Sequence, residues 1–489
     1  MSRWPSEPVI YELNTGAWLH DVGKRAGNHT TLATVSPAEW DAVTPSGVDA
    51  VWLMGVWERS PAGVALALES ADQLASFRNA LPDLTDADII GSAYCIRNYE
   101  TDSRFGGRRG LAAARAALAE RGVRLLVDFV PNHVAPDHPW LIGHPEYFVQ
   151  GSAEDLTHDP AGFLQVGDAV IARGRDPYFP PWADVAQLNG FDPGLRAAAA
   201  ETLMDIARQA DGVRCDMAML LMNDVFVRTW GDRVGAPPGQ EYWTEIINAV
   251  RAAHPDFIFA AEAYWDLEWD LVQLGFDYCY DKRLYDRLVH DEPETIRRHL
   301  HADHDYQQHM LRFLENHDET RAAVEFPPAK ERAAAVAIAT LPGATLWHEG
   351  QFEGWHVRLP VFLDRRSEEP NDDALHGFYV ELLDATGGLR HGTWALCEAT
   401  GWPDNSSYTQ LLAWSWIDDD RRSLVVVNYA DDPAAALVHP PWSDLGGRRW
   451  QLEDVLRGER FERDGDDIAS NGLYVQLASW QCHVLVWKY

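Results

Sequence analysis

The chain has 489 residues, 46% of them hydrophobic, and a formal net charge of −34. That length excludes a single small domain and fits one large barrel with an appended domain, or three ordinary domains. The acidic balance disfavours nucleic acid and anionic membrane surfaces as partners.

In chain order, Val9 to Leu13 reads as a short buried strand. Met1-Ser2-Arg3-Trp4-Pro5 leads straight into it with no apolar leader, which predicts a soluble, cytoplasmic protein. Val48 to Leu53 reads as a second strand. Gly110 to Gly122 is a helix of strong helix formers ended by glycine, and Val123 to Phe129 follows as the third strand. Asp192 is a good N-cap with Pro193 at the first helical position, so a helix to about Ala210 precedes a fourth strand at Gly212 to Asp216. Further strands are expected at Phe257 to Glu262, Gly275 to Tyr278, Met310 to Glu315 and Ala344 to Trp347, with helices near Thr244–Ala253 and Lys330–Leu341. Eight strands alternating with helices predict an α/β protein, a (β/α)8 TIM barrel. The helical signal stops near Gly392. Leu411 to Trp416, Ser423 to Tyr429, Trp450 to Asp454 and Cys482 to Trp487 then read as strands of a C-terminal antiparallel β domain. The expected organisation is a catalytic barrel at 1–130 and 190–392, an inserted subdomain after strand three at 131–189, and a β-sandwich at 393–489.

The basic residues include only four lysines (Lys24, Lys282, Lys330, Lys488), which leaves few candidates for Schiff-base chemistry. The five cysteines are scattered and form no C-x-x-C, so a reducing compartment is expected, with neither a disulfide framework nor a zinc site. His138, His144 and His158 in the inserted stretch are spaced too irregularly for a metal site.

Side chains at the C-terminal ends of barrel strands form the active site of such a fold. Here strand three ends in Asp128-Phe-Val-Pro-Asn-His133, strand four in Gly212-Val-Arg-Cys-Asp216, strand five in Ala260-Ala-Glu262 and strand seven in Phe313-Leu-Glu-Asn-His-Asp318. Period two puts Arg214 and Asp216 on one face, where the guanidinium would keep the carboxylate ionised as a nucleophile. Glu262, following an apolar run and close to other carboxylates, would have the raised pKa of a general acid. Two carboxylates about 5–5.5 Å apart retain anomeric configuration through a covalent intermediate, whereas a wider gap inverts it. Asp128 reads as a structural partner of Arg214.

These four motifs, in this order and spacing, resemble those of the α-amylase superfamily of retaining α-glycoside hydrolases and transglycosidases, over most of the chain. The resemblance implies Asp216 as nucleophile, Glu262 as acid/base and Asp318 as transition-state stabiliser. It implies His133, Arg214 and His317 as ligands of the first sugar, with Tyr94 stacked beneath it. Asp184-Val-Ala-Gln-Leu-Asn189 looks like the motif closing the inserted subdomain, and Trp347-His-Glu349-Gly350 like the end of the eighth strand. Three features depart from the family. Cys95 follows the stacking tyrosine where an aspartate is common. Met219 and Leu220 replace the Lys-His that touches the next sugar in starch-acting members. Asn132 matches one ligand of an α-amylase calcium site, and the others are not assignable. No cofactor is expected, with calcium left open.

The expected activity is cleavage of an α-glucosidic bond in a small glycoside or short oligosaccharide. A transglycosidase or phosphorylase would use the same glycosyl-enzyme with sugar or phosphate as acceptor. A non-catalytic relative is the remaining alternative, but it would be expected to lose a carboxylate or gain a membrane anchor. The partner is a small carbohydrate. Oligomeric state is not legible.

Overall fold

The computed structural model describes residues 4–419 and 421–488. Eight parallel strands close into a barrel: β1 Val9–Asn14, β2 Ala50–Met54, β3 Arg124–Phe129, β4 Gly212–Cys215, β5 Ile258–Ala261, β6 Tyr278–Tyr280, β7 Met310–Arg312 and β8 Ala344–His348. Each pairs with its chain neighbour, and β8 closes on β1 through Val9↔Thr345 to Glu12↔His348. The strands read as continuous apolar runs because helices cover their outer faces and side chains fill the inside. β1, β3 and β8 are buried along their whole length.

Most elements lie where the sequence places them. Asp192 caps the helix Pro193–Gln209 by accepting from Leu195 N at 2.8 Å. Two strands differ from expectation. The sixth begins at Tyr278, three residues later than expected, because Gly275 sits at φ +115° and turns the chain first. The seventh stops at Arg312, so Phe313 to Asp318 is loop.

The βα loops hold what the periodicity of the sequence does not reveal. After β2, residues 55–106 form two helices, Pro61–Glu69 and Ala71–Ala80, and an antiparallel pair, Trp57–Arg59 with Ile96–Thr101. After β3, His133–Val134 pairs antiparallel with Ala186–Gln187, and Phe163–Val166 with Ala169–Ala172. From Thr393 the chain forms a six-stranded and a three-stranded antiparallel sheet, packed around Leu424, Val426, Trp450 and Trp487. These sheets dock on the barrel through Trp414 and Trp416, whose Nε1 atoms donate to Thr340 O at 3.2 and 2.8 Å, and through Tyr429, whose hydroxyl donates to Leu288 O at 2.6 Å.

Candidate active site

The ladder between β3, β4 and β5 sets the site. Arg214 is in register with Asp128 on one side and Ala260 on the other. Pairing continues past the strand ends: Asp216 N donates to Phe129 O at 2.9 Å, and Glu262 N to Cys215 O at 3.0 Å. Asp216 and Glu262 therefore lie on the last rungs of adjacent strands, at the C-terminal mouth of the barrel. Gly212 permits this register, because a Cβ there would come within 2.5 Å of Ile258.

Arg214 bridges the two carboxyls. Its Nη1 donates to Asp216 Oδ1 at 2.8 Å, and its Nη2 lies 2.7 Å from Glu262 Oε2. The guanidinium is buried against the rings of Tyr94, Trp52 and Tyr280, at 5.0, 5.4 and 5.8 Å. Planar and permanently charged, arginine suits such a cage. Asp128 is fully buried and accepts from Gly55 N at 2.8 Å, with Arg214 Nη1 at 3.9 Å. Its main tie is thus to the loop after β2, and the pairing with Arg214 expected from the sequence is the longer contact.

Burial pushes the Glu262 carboxyl up to about 7, against the pull of Arg214 and with help from the charges of Asp216 and Asp318. Glu262 also accepts from Met217 N at 2.7 Å and from the Tyr264 hydroxyl at 2.8 Å. For Asp216 the balance differs from the expectation that Arg214 alone decides it. Burial raises its pKa, Arg214 opposes, and Asp318 adds to the rise. Burial raises both carboxyls, and Arg214 opposes this in each.

Asp318 faces them from the loop after β7, with 48% of its side chain exposed to the mouth. His317 joins it at 2.9 Å through Nε2, which also meets the Tyr94 hydroxyl at 2.7 Å, while Nδ1 is bound by Glu12. Two flanking carboxylates push the His317 pKa well up and overcome its burial, and His317 in turn holds Asp318 well down. Both ring nitrogens of His317 are thus engaged within the protein. Tyr94 stacks on His317 at 5.3 Å. His133, 5.2 Å from the Trp182 ring, is pushed down to about 4 by burial and is a neutral imidazole at neutral pH. Trp140 sits apart, against His138 and Tyr147.

The seven residues singled out in the sequence thus fall at one mouth. Four others went unnoticed: Glu12, Trp52, Tyr264 and Tyr280. Glu12 had a usable signal, as the one charge inside the apolar run of β1. Met219 and Leu220, at the Lys-His positions, are buried in the core. The Asn132 side chain is engaged within the protein. Its Oδ1 accepts from Gln187 Nε2 at 2.9 Å, and no cluster of three His, Cys, Asp or Glu side chains suited to a metal exists among the described residues.

No protein-family model matches the chain. It is 24% identical over 449 residues to "Alpha-amylase MalA" of Haloarcula japonica, covering 88% of this chain and 56% of that protein. It is 20% identical over 436 residues to the alpha-1,4-glucan:maltose-1-phosphate maltosyltransferase of Picrophilus torridus, covering 83% of this chain and 62% of that one. The chain therefore spans little more than half the length of these relatives. The crystal structure of a maltogenic α-amylase, AmyB, from Thermotoga neapolitana superposes with a TM-score of 0.70 at 18% identity, over 99% of each chain. In its barrel and its strand-end motifs, and by these likenesses, the chain is similar to members of the α-amylase superfamily.

Proposed function

We propose that the protein cleaves an α-glucosidic bond in a small glycoside or short oligosaccharide with retention of configuration. The observation that carries this is the single Arg214 guanidinium in contact with both Asp216 and Glu262. Carboxyls held by neighbouring nitrogens of one planar group favour the narrow separation of retaining chemistry over the wider inverting gap.

In the first step Glu262 protonates the glycosidic oxygen while an Asp216 oxygen attacks the anomeric carbon, forming the glycosyl ester as the leaving group departs. In the second, ionised Glu262 takes a proton from water, and the resulting nucleophile displaces Asp216 from that carbon. Asp318, held ionised by His317, accepts hydrogen bonds from ring hydroxyls, and neutral His133 can donate to them. Arg214 stabilises the carboxylates left when Asp216 departs and Glu262 gives up its proton.

Transfer of the glycosyl group to a sugar or phosphate acceptor is the second reading, favoured by the likeness to maltosyltransferases. A cytoplasmic setting is supported by five free thiols. No described helix is long and apolar enough to cross a membrane.

The test is Asp216→Asn assayed on an activated α-glucoside, with early-time NMR of the wild-type product anomer. Loss of the glycosyl-enzyme by mass spectrometry and an α-anomer first product are expected. Retained turnover in the variant, or a β-anomer first product, would overturn the mechanism.

A further inference from the structure

Glu12 is a carboxylate inside the barrel that the two cleavage steps do not use. It sits on β1 in register with Trp52 of β2 and His348 of β8, and it is fully buried. Its Oε1 meets His317 Nδ1, and its Oε2 is buried with no hydrogen-bond partner among the described residues. A buried carboxylate is costly unless a charge and a hydrogen bond answer it. Among the described residues, His317 alone hydrogen-bonds to this one and can supply both.

Hydrogen bonding on the other side of the ring requires the same charge. His317 Nε2 lies 2.9 Å from Asp318 Oδ2 and 2.7 Å from the Tyr94 hydroxyl. A ring nitrogen without a proton is an acceptor, and a carboxylate oxygen set against it is repelled. Each nitrogen of His317 faces a carboxylate, so each carries a proton and the ring is an imidazolium. The Nδ1 proton stays on the ring and not on Glu12, because imidazole (about 6.5) is a stronger base than a glutamate carboxylate (about 4.3). The Tyr94 ring, stacked on His317 at 5.3 Å, offers this cation an aromatic face.

Other charges reach the ring from every side. Asp128 and Asp216 add negative charge from β3 and β4, and His348 on β8 is held neutral by burial and by Arg321. The opposing cations are Arg214, over the Tyr94 ring at 5.0 Å, Arg321, which meets His348 Nδ1 at 2.7 Å, and Arg358, which donates to Asp318 O at 2.7 Å. Glu12 is the carboxylate set directly on Nδ1.

A proton on Nε2 has two effects. It leaves Asp318 as an ionised acceptor at the mouth. It also makes the Tyr94 oxygen an acceptor, so the Tyr94 O–H, which has no other partner among the described residues, is free to donate to a substrate. A neutral ring with its proton on Nδ1 reverses both, because Nε2 then takes the Tyr94 proton and repels Asp318.

From a buried carboxylate answered by His317 alone, we infer that Glu12 is a positioning residue of the reaction. It keeps both ring protons on His317, and through that ring it sets Asp318 as an acceptor and the Tyr94 hydroxyl as a donor. This rests on the reading of Asp216, Glu262 and Asp318 given above and adds the residue that prepares the third of them.

The test follows the ring and the rate separately. Nitrogen NMR of isotope-labelled histidine, with the His317 signals identified by their loss in His317→Asn, is expected to show a doubly protonated ring above a pH of about 7, where an ordinary histidine is neutral. Glu12→Gln keeps the size and can still accept from Nδ1. In it His317 should hold the second proton at least about tenfold less tightly, the smaller end of what one close opposite charge is worth. On α-glucosyl fluoride, whose leaving group needs little help from an acid, kcat/KM of this variant relative to wild type should fall about tenfold between a pH of about 6 and one of about 8.5. A merely structural loss would lower that ratio equally across the range. Glu12→Asp keeps the charge and should restore a flat ratio. A neutral His317 ring in the wild type above a pH of about 7 would overturn the inference, even where Glu12→Gln failed to fold. A ratio independent of pH for Glu12→Gln would overturn it too, with the nucleophile and acid left in place. Wild-type enzyme inert towards the fluoride would remove the underlying reading, and the role of Glu12 with it.

Discussion

Replacing Glu262 by glutamine tests the electrostatics of the site through stability as well as rate. Burial, opposed by Arg214 and aided by Asp216 and Asp318, raises this carboxyl from 4.5 to about 7. A rise of that size corresponds to about 3 kcal/mol of preference for the protonated form in the fold. Between these two values the folded chain keeps a proton that the unfolded chain has released. The stability from this group is therefore complete below a pH of about 4.5 and declines as pH rises through about 7. Glu262→Gln is neutral at every pH and has no such decline. Unfolding of the two proteins, followed by thermal melts across this range, should diverge. The variant should gain on the wild type by up to about 3 kcal/mol towards the alkaline end. Its kcat/KM for an unactivated glucoside should drop by about 10²–10⁴, the worth of a general acid. In the wild type the same constant should fall above a pH of about 7, as the acid loses its proton. Parallel stability curves for the two proteins would refute the placement of the raised carboxyl at Glu262.

Arg214→Lys keeps the charge but puts one compact ammonium where a planar fork held two carboxyls, so kcat/KM should fall at least about a hundredfold from misplaced groups. A circular dichroism spectrum matching the wild type would assign that loss to the site, and near-normal turnover would count against the bridging role. The net charge of −34 predicts self-repulsion that salt relieves. The melting temperature should climb as sodium chloride rises from about 0.01 to about 1 M, where the screening length shrinks from about 30 to about 3 Å. A flat melting temperature over that range would contradict it.

The barrel strands were legible because a parallel sheet buried on both faces needs short apolar runs, and those runs end in charge where the site begins. Asp216, Glu262 and Asp318 stand out for the same reason, each following apolar residues. What stayed hidden depends on contacts between loops. The fold of the segment after β2 is one case, since its helices are short and weakly amphipathic, although Tyr94 within it was named from its motif. Tyr264 looks like an ordinary aromatic until its hydroxyl is placed 2.8 Å from Glu262. For Asp216 the sequence displays its cation, two residues away, but not the burial that raises its pKa against that cation. Asp128 was paired with Arg214 on register alone, whereas the nearer donor is a backbone N–H of a glycine 73 residues away.

Met217 links the legible and hidden parts of the site. It follows Asp216 and takes left-handed backbone, φ +42° and ψ +48°, at a cost of about 1–3 kcal/mol for a residue with a side chain. That conformation aims its N–H at Glu262 Oε2, and Ala218 N then donates to Glu262 O at 3.0 Å. The chain after Asp216 is thus tied to Glu262, and a tight turn over Ala218–Leu221 carries Met219 and Leu220 into the core. With those two side chains turned inward, the apolar run after Asp216 adds to the core and not to the mouth.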